Sequence, residues 1–376
     1  MLLTWAASSG LNPTLSLDFL TPVLDGRITA SGGANGTRVN SSGLIVAATT
    51  PRFDYDPVTL AIKGLLVEEA RTNLVLHNRD MTNAVWNSIG TGVTANFSTA
   101  PDGTLTADRL EFTDATSQLY QFVSGVSTST TYTMTGYAKM ASGTGDFRFK
   151  WYNAQTASDV LSADQAVTAN WQRFSFTFTT GNDVSSFNIA LYAGTSGAQN
   201  VEFWGVGLEQ GSFATSYIPT TNAAVTRTAD SLTMTGTNFS SWFNASEGTF
   251  VVEFEPPAVL STFPVLLGHD SGSTAGMYLF SNTVGHWNGS VDLSIAETVI
   301  QGVSNKMALA FIGTTSRAIA LNGGTVAEDA NSAGSFDGLF FGKPGGAANQ
   351  VLNSHIRSLR YYNKRLPNAH LQGLTL

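Results

Sequence analysis

The stretch "WQRFSFTFTT" (residues 171–180) sets Phe174, Phe176 and Phe178 on one side of an extended chain and Ser175 and Thr177 on the other. A period of two fits only a strand with one dry and one wet face. The same alternation recurs in "FRFKWY" (147–152), where Phe147, Phe149 and Trp151 oppose Arg148 and Lys150. It returns in "GTFVVEFEPP" (248–257), through Phe250, Val252 and Phe254, before Pro256 and Pro257 stop the strand. "YTMTGYA", "FNIALYAG", "VEFWGVGLEQG" and "KMALAFIG" supply more strands, separated by turn segments such as "ASGTGD", "TGND" and "GTSGAQN". "RAIALNGG" runs into Asn322-Gly323, a hairpin-turn dipeptide, with "TVAEDA" as the returning strand. Strands with one polar face tile two-sheet sandwiches, so the expected fold class is all-β, built as an N-terminal extended arm and two β-sandwich, jelly-roll domains.

A chain of 376 residues is too long for one ordinary core. The expected divisions are an arm at 1–50, a charged connector at 51–90, a jelly roll at 91–218, a linker at 219–233 and a second sandwich at 234–376. The arm is rich in Gly, Ser, Thr and Asn and carries too few large apolar residues for a core of its own. In the connector, "DMTNAVW" offers Asp80 or Thr82 as the cap of one helical turn. The chain's last segment reads as a strand at 356–362 followed by a short helix begun at Pro367.

Composition narrows the chemistry. There is no cysteine, which excludes disulfide frameworks, thiolate zinc sites and cysteine nucleophiles. The net charge is −8, which argues against a nucleic-acid partner. No run approaches a membrane span, and no basic residue precedes Arg27, so neither membrane insertion nor a signal peptide is expected. Charged residues make up only 12% of the chain, yet Arg52, Asp54, Glu68, Glu69, Arg71 and Arg79 crowd around "KGLLVEEARTNLVLHNRD". Adjacent Glu68 and Glu69 face opposite sides of a strand and cannot act as one acid–base pair. Asp54 and Asp56 would share a face, at a spacing glycosidases use, but they lie in a turn-like run where Asp bonds locally. The cluster therefore reads as structural, its arginines forked onto Glu68, Glu69, Asp54 or Asp80 to pin the arm to the jelly roll.

The histidines are scattered, without the spacing of a zinc motif, and His269-Asp270-Ser271 cannot form a triad by adjacency. No catalytic residue, cofactor or metal is expected: Asp270 or Asp292 could join a lectin-type calcium site beside the aromatic loop "GHWNGS", but no Asp-x-Asp-x-Asp run supports calcium there. What remains is ligand binding through aromatics, whose faces suit the C–H faces of sugars. The candidate ligand-binding residues are Trp151, Tyr152, Trp204, Arg148 and Trp287, with Tyr120, Trp171, Asn153 and Gln155 as further neighbours. Trp171 is expected in the core. Trp204 is opposite in phase to Phe203, and of the neighbours Trp151 and Tyr152 one must face outward.

Three stretches resemble known families. "PRFDYDPVTLAIKGLLVEEARTNL", with Trp86 after it, resembles a segment of bacteriophage virion surface proteins: tail fibre, spike or head decoration. "GVGLEQGSFATSYIPTTNAAVTRTAD" resembles the end of the carbohydrate-binding-type jelly roll that follows it there. "GTFVVEFEPP" with "IRSLRYYNKRLPNAHLQGL" resembles a laminin-G/concanavalin-A-like sandwich. The resemblance implies a non-enzymatic phage structural protein on the virion surface, assembled in the host cytoplasm. Its N-terminal region would engage other virion proteins and its modules would contact a host cell-surface glycan for attachment. It also implies a homo-oligomer, a trimer favoured, whose repeated weak sites gain avidity. Two alternatives stay open: a purely structural capsid or tail decoration that stabilises the particle, and a polysaccharide depolymerase using Asp54, Asp56, Glu68 and Glu69.

Overall fold

The computed structural model describes residues 11–257, 263–346 and 350–376. They form antiparallel sheets throughout, with only two short helices among the described residues, Thr237–Ser240 and Asn368–Thr375. The all-β expectation holds. The chain divides into two compact units, each a two-sheet sandwich.

The first unit gathers the described residues up to Ala34 with Ala48–Ala70 and Thr228–Leu376. One sheet orders its strands as 327–329, 316–321, 305–312, 247–254, 354–362, 62–67 and 52–55, and Leu15–Asp18 also pairs with Ser354–Tyr362. The facing sheet runs 29–32, 230–235, 338–341, 265–268, 276–280, 283–287 and 292–294. Phe250, Val252 and Phe254 point into the core between them, as their alternation requires, and meet Leu309, Leu339 and Phe341 there. Asn322 and Gly323 both take positive φ (48° and 75°) and turn the chain from Ser316–Leu321 back to Ala327–Asp329. The closing strand spans Ser354–Tyr362, and the final helix starts after Pro367 and lays Leu371 and Leu374 on a satellite core with Ala308, Ala310 and Ala320.

The segment expected to be an arm is instead sheet. Leu15 and Leu17 are buried in the first core, and Thr29–Gly32 pairs with Asp230–Thr235. Residues 1–10 lie outside the described part. The arm's few apolar residues suffice because each strand borrows a core made by distant sequence, which local composition does not record. The stretch expected to be a linker carries strands Val225–Arg227 and Asp230–Thr235. Asp80–Val85 makes successive turns rather than a helical turn, with Asp80 accepting from the Thr82 hydroxyl at 2.8 Å.

The second unit comprises Asn35–Ala47 and Arg71–Arg227. Its sheets order as 172–179, 131–140, 199–210, 105–112, 91–99 and as 158–161, 145–153, 188–193, 118–122, 86–89, with Gln165–Val167 also paired to Gly145–Asn153. Phe147, Phe149 and Trp151 interlock with Phe178, Phe187 and Phe203 between them. A second, small core lies on the opposite side of the five-stranded sheet. There the hairpin Thr37–Val39/Ile45–Ala47 and Tyr217 cover Trp204, and Thr37 donates to the Tyr217 carbonyl at 2.6 Å.

The charge cluster is wiring: Arg52 pairs with Glu68 as expected, while its second partner and those of the other charges lie outside the expected set. Fully buried Arg52 holds Glu68 at 2.8 Å and forks onto Asp230, a partner 178 positions away. Asp54 faces His355 at 3.0 Å, and Glu69 exchanges hydrogen bonds with Asn353. Asp56 accepts from the Val58 and Thr59 amides, which hold its carboxyl below the usual range, the Thr59 amide most of all. In the second unit Arg79 reaches Asp102 at 3.4 Å, and Arg71 lies over the Phe213 ring at 4.6 Å. Charge proximity in sequence identified the arginines; their partners Asp230, in a distant strand, and Asp102, in a turn, are ones the local stretch cannot predict.

Candidate functional site

Strand register in the six-stranded sheet of the second unit places one set of side chains on its outer face. Tyr192 stands opposite Gln118 on one side and Arg148 on the other. Ala190 stands between Tyr120 and Lys150, and Tyr120 in turn faces Asn87. Tyr152 pairs with Asp159, and Phe122 with Asn188. Their alternate neighbours Leu119, Phe147, Phe149, Trp151, Ile189 and Leu191 fill the core, so the pleat forces this face outward. Tyr120, Tyr152 and Tyr192 are half-buried and Phe122 is exposed.

The small Ala190 makes a floor between larger side chains. Lys150 runs across it, largely covered, with its ammonium 5.2 Å from the Tyr192 ring centroid and 3.1 Å from the Asp159 carboxylate. Arg148 donates through Nε to Asp164 at 2.6 Å; that bond raises the guanidinium's pKa and lowers the carboxyl's. Tyr120 and Phe122 meet edge to face at 5.7 Å. Beyond Phe122 the face runs into a cleft of about 340 Å³ between Val123–Val126 and Val184–Phe187. The face thus offers flat apolar rings beside fixed donors and acceptors, the chemistry that binds a hydroxylated ring through its C–H face and its edges.

The residues expected to bind ligand divide sharply. Tyr152 and Arg148 sit on this face, with Tyr120 beside them. Trp151 does not: it is 2% exposed and stacked on Phe178 at 5.1 Å, because the strand's phase commits it to the core with Phe147 and Phe149. Trp204 is corrected too. Its phase does point it away from Phe203, yet it is fully buried under Tyr217, at 4.5 Å between centroids, and donates to Thr106 at 3.1 Å. Trp171, expected in the core, is half-buried, donating to the Thr99 carbonyl at 3.0 Å with Lys139 over its ring. Trp287 belongs to the first unit. Tyr192, Lys150, Gln118 and Asn188 were not singled out from sequence, although in "FNIALYAG" Tyr192 is out of phase with Ile189, Leu191 and Ala193. That phase was the available signal.

Asp54, Asp56, Glu68 and Glu69, the carboxylates a hydrolase would use, are engaged in the first unit's own contacts, described above. The His269 ring is bonded at both nitrogens, to His286 and to the Ser335 carbonyl, while the Ser271 hydroxyl bonds Asp337. Asp270 accepts from the Gly272 amide and Asp292 from the Tyr278 hydroxyl. No group of three or more potential metal ligands occurs among the described residues.

Residues 76–199 match the family described as a carbohydrate binding domain. That span holds every strand of the six-stranded sheet and all the face residues named above. No curated protein matches the chain. Among solved structures, it is similar to the xylan-binding domain of Xyn10C from Paenibacillus barcinonensis (14% identity, TM-score 0.30, covering 38% of this chain and 94% of that one). It is similar also to the carbohydrate-binding module of the Ruminococcus gnavus sialidase bound to α2,3-sialyllactose (17% identity, TM-score 0.30, 37% and 88% covered). A third is the N-terminal part of the Clostridium thermocellum endo-1,4-β-D-xylanase 10B with xylohexaose (16% identity, TM-score 0.31). There the match covers 40% of this chain and 30% of the xylanase chain.

Proposed function

We propose that the second unit binds a glycan on the outer face of its six-stranded sheet, with Tyr192 and Tyr120 as stacking platforms. Lys150, Arg148, Gln118 and Asn188 would meet the hydroxyls and ring substituents. The observation that carries this reading is the coincidence of the aromatic, hydrogen-bonding face with the span that matches a carbohydrate binding domain. Tyr192→Ala and Tyr120→Ala each remove a half-exposed ring without opening the core. Each is expected to weaken binding about tenfold, roughly 1.4 kcal/mol. Affinity electrophoresis of the full chain through gels holding soluble xylans, glucans or host-derived polysaccharide reads this directly. Retardation that both variants share with the parent would move the site elsewhere, and no retardation in any polysaccharide would sink the reading.

The wider role proposed is non-enzymatic attachment to a host surface glycan by a protein on a phage particle. It is supported by the sequence resemblances in residues 51–86 and 205–230, while the C-terminal sandwich resembles laminin-G/concanavalin-A-like domains only in short stretches. In this role the chain is a homo-oligomer, with avidity compensating shallow single sites. Antibody labelling of intact virions, together with no release of reducing ends from the bound polysaccharide, is the expected result. Released reducing ends would favour the depolymerase instead.

A further inference from the structure

The first unit contains a pocket of its own. Phe263, Val265, Thr274, Tyr278, Trp287, Asp292 and Gln350 enclose about 290 Å³, close to the ~300 Å³ lower end for small-ligand sites. Its walls follow from register. Tyr278 stands opposite Gly285 and Trp287 opposite Asp292. A Cβ on Gly285 would come within 2.5 Å of the Tyr278 ring, so the glycine lets that ring lie down across the neighbouring strand. The Tyr278 hydroxyl then donates to Asp292 Oδ1 at 2.5 Å, which locks the ring as a wall. Phe263 meets Tyr278 edge to face at 5.7 Å and stacks on Phe280 at 4.8 Å.

Two features make this more than an apolar dent. Gln350 Oε1 is shielded from solvent and has no hydrogen-bond partner among the described residues, an arrangement that is unfavourable unless a donor arrives. Asp292 is exposed, and only its Oδ1 is engaged by Tyr278. A ligand entering here meets aromatic rings for an apolar face and two acceptors for its donors. We infer that this pocket binds a single hydroxylated ring, one neutral sugar residue, stacked on Trp287 and donating hydroxyls to Gln350 Oε1 and to Asp292. The site does not depend on the sheet face of the second unit; the chain would carry two distinct saccharide sites, one extended and one a small pocket.

The test uses the full chain and a panel of free neutral monosaccharides (hexoses, pentoses and N-acetylhexosamines) at millimolar concentration, read by saturation-transfer NMR. The Tyr120→Ala/Tyr192→Ala double variant serves as background to silence the sheet face. The expected result is transfer to at least one sugar in that background, with a fall in affinity of tenfold or more in Trp287→Ala. Thr274→Phe, which fills the pocket from its rim, is expected to abolish transfer while leaving the circular-dichroism melt unchanged, so a loss in Trp287→Ala cannot be ascribed to misfolding alone. Binding that survives both variants overturns the inference. So does silence across the whole panel, or a pocket that accepts a methylammonium probe and no sugar. Sugar binding lost in the double variant but present in the parent would overturn this pocket and leave the sheet-face reading standing.

Discussion

Replacing Arg52 by Met is expected to cost the first unit about 3–5 kcal/mol, the cost of removing one partner from a buried ion pair. Arg52 has no exposed surface, and Glu68 and Asp230, its carboxylate partners, are buried with it. Burial opposes the guanidinium's charge, but the two carboxylates overcome this and raise its pKa. The group also closes the sheets locally. Asp230 accepts from the Glu68 amide at 2.8 Å and from the Thr50 hydroxyl, while the Asp230 amide donates to the Glu68 carbonyl at 2.9 Å. Methionine fills similar volume without charge, leaving two anions together in a low dielectric. Thermal unfolding should shift down by roughly 6–20 °C for a unit of this size. Adding Glu68→Gln and Asp230→Asn to Arg52→Met removes the stranded anions and should recover more than half of the loss. A cost under about 1 kcal/mol for the single variant would mean that the three residues are wet and weakly coupled, as surface pairs are.

The same trio shows where reading the sequence stops. Period-two alternation identified the core residues of Gly145–Asn153, Gln172–Thr179 and Glu247–Phe254, because in-strand phase is a local property. Asn322-Gly323 and Pro367 marked a turn and a helix start for the same reason. Arg52's tie to Asp230 depends on which strands become neighbours, and no local pattern encodes that pairing. Trp204 makes the point from the other side. Its phase was legible, but a hairpin more than 150 residues away in sequence covers it, turning an outward residue into a buried one. On the candidate face, Arg148 and Tyr152 were recoverable from alternation; that Tyr192 and Tyr120 join them on the same face, in neighbouring rows, is a fact of register, visible only once the strands are paired.

Acid should destabilise the first unit between pH 6.5 and about 4, through two histidines. Arg317 has only donors, and its Nη1 lies 3.1 Å from His286 Nδ1, so that nitrogen accepts. His286 Nε2 therefore carries the proton and donates to His269 Nε2 at 2.9 Å, and His269 Nδ1–H donates to the Ser335 carbonyl at 2.7 Å. Every ring nitrogen is used with both imidazoles neutral, and a further proton would set two N–H groups against each other. Burial, above all, pushes His269 down to about 4 and His286 well below 6.5, with Arg317 adding repulsion to both. The unfolded chain takes up protons from pH 6.5 downward while the folded unit does not. Stability therefore falls with falling pH, by up to about 1.4 kcal/mol per pH unit for each histidine and roughly 3 kcal/mol from His269 alone by pH 4. Two other groups of the first unit run elsewhere. His355 is raised: burial opposes its charge, but Asp54 and Glu255 outweigh that. Its contribution is full below pH 6.5 and is lost as pH rises through its raised pKa. Glu255, held down to about 2 by His355 and Lys63 against the effect of burial, loses its contribution only below about 4.5. Denaturant midpoints measured from pH 6.5 to 4.5 should thus fall steadily in the parent. His286→Gln can still accept from Arg317 and donate to His269 while removing one titrating ring, and should reduce the slope by about half. A flat profile across this window would show that the pair is open to water and free to protonate in the folded state.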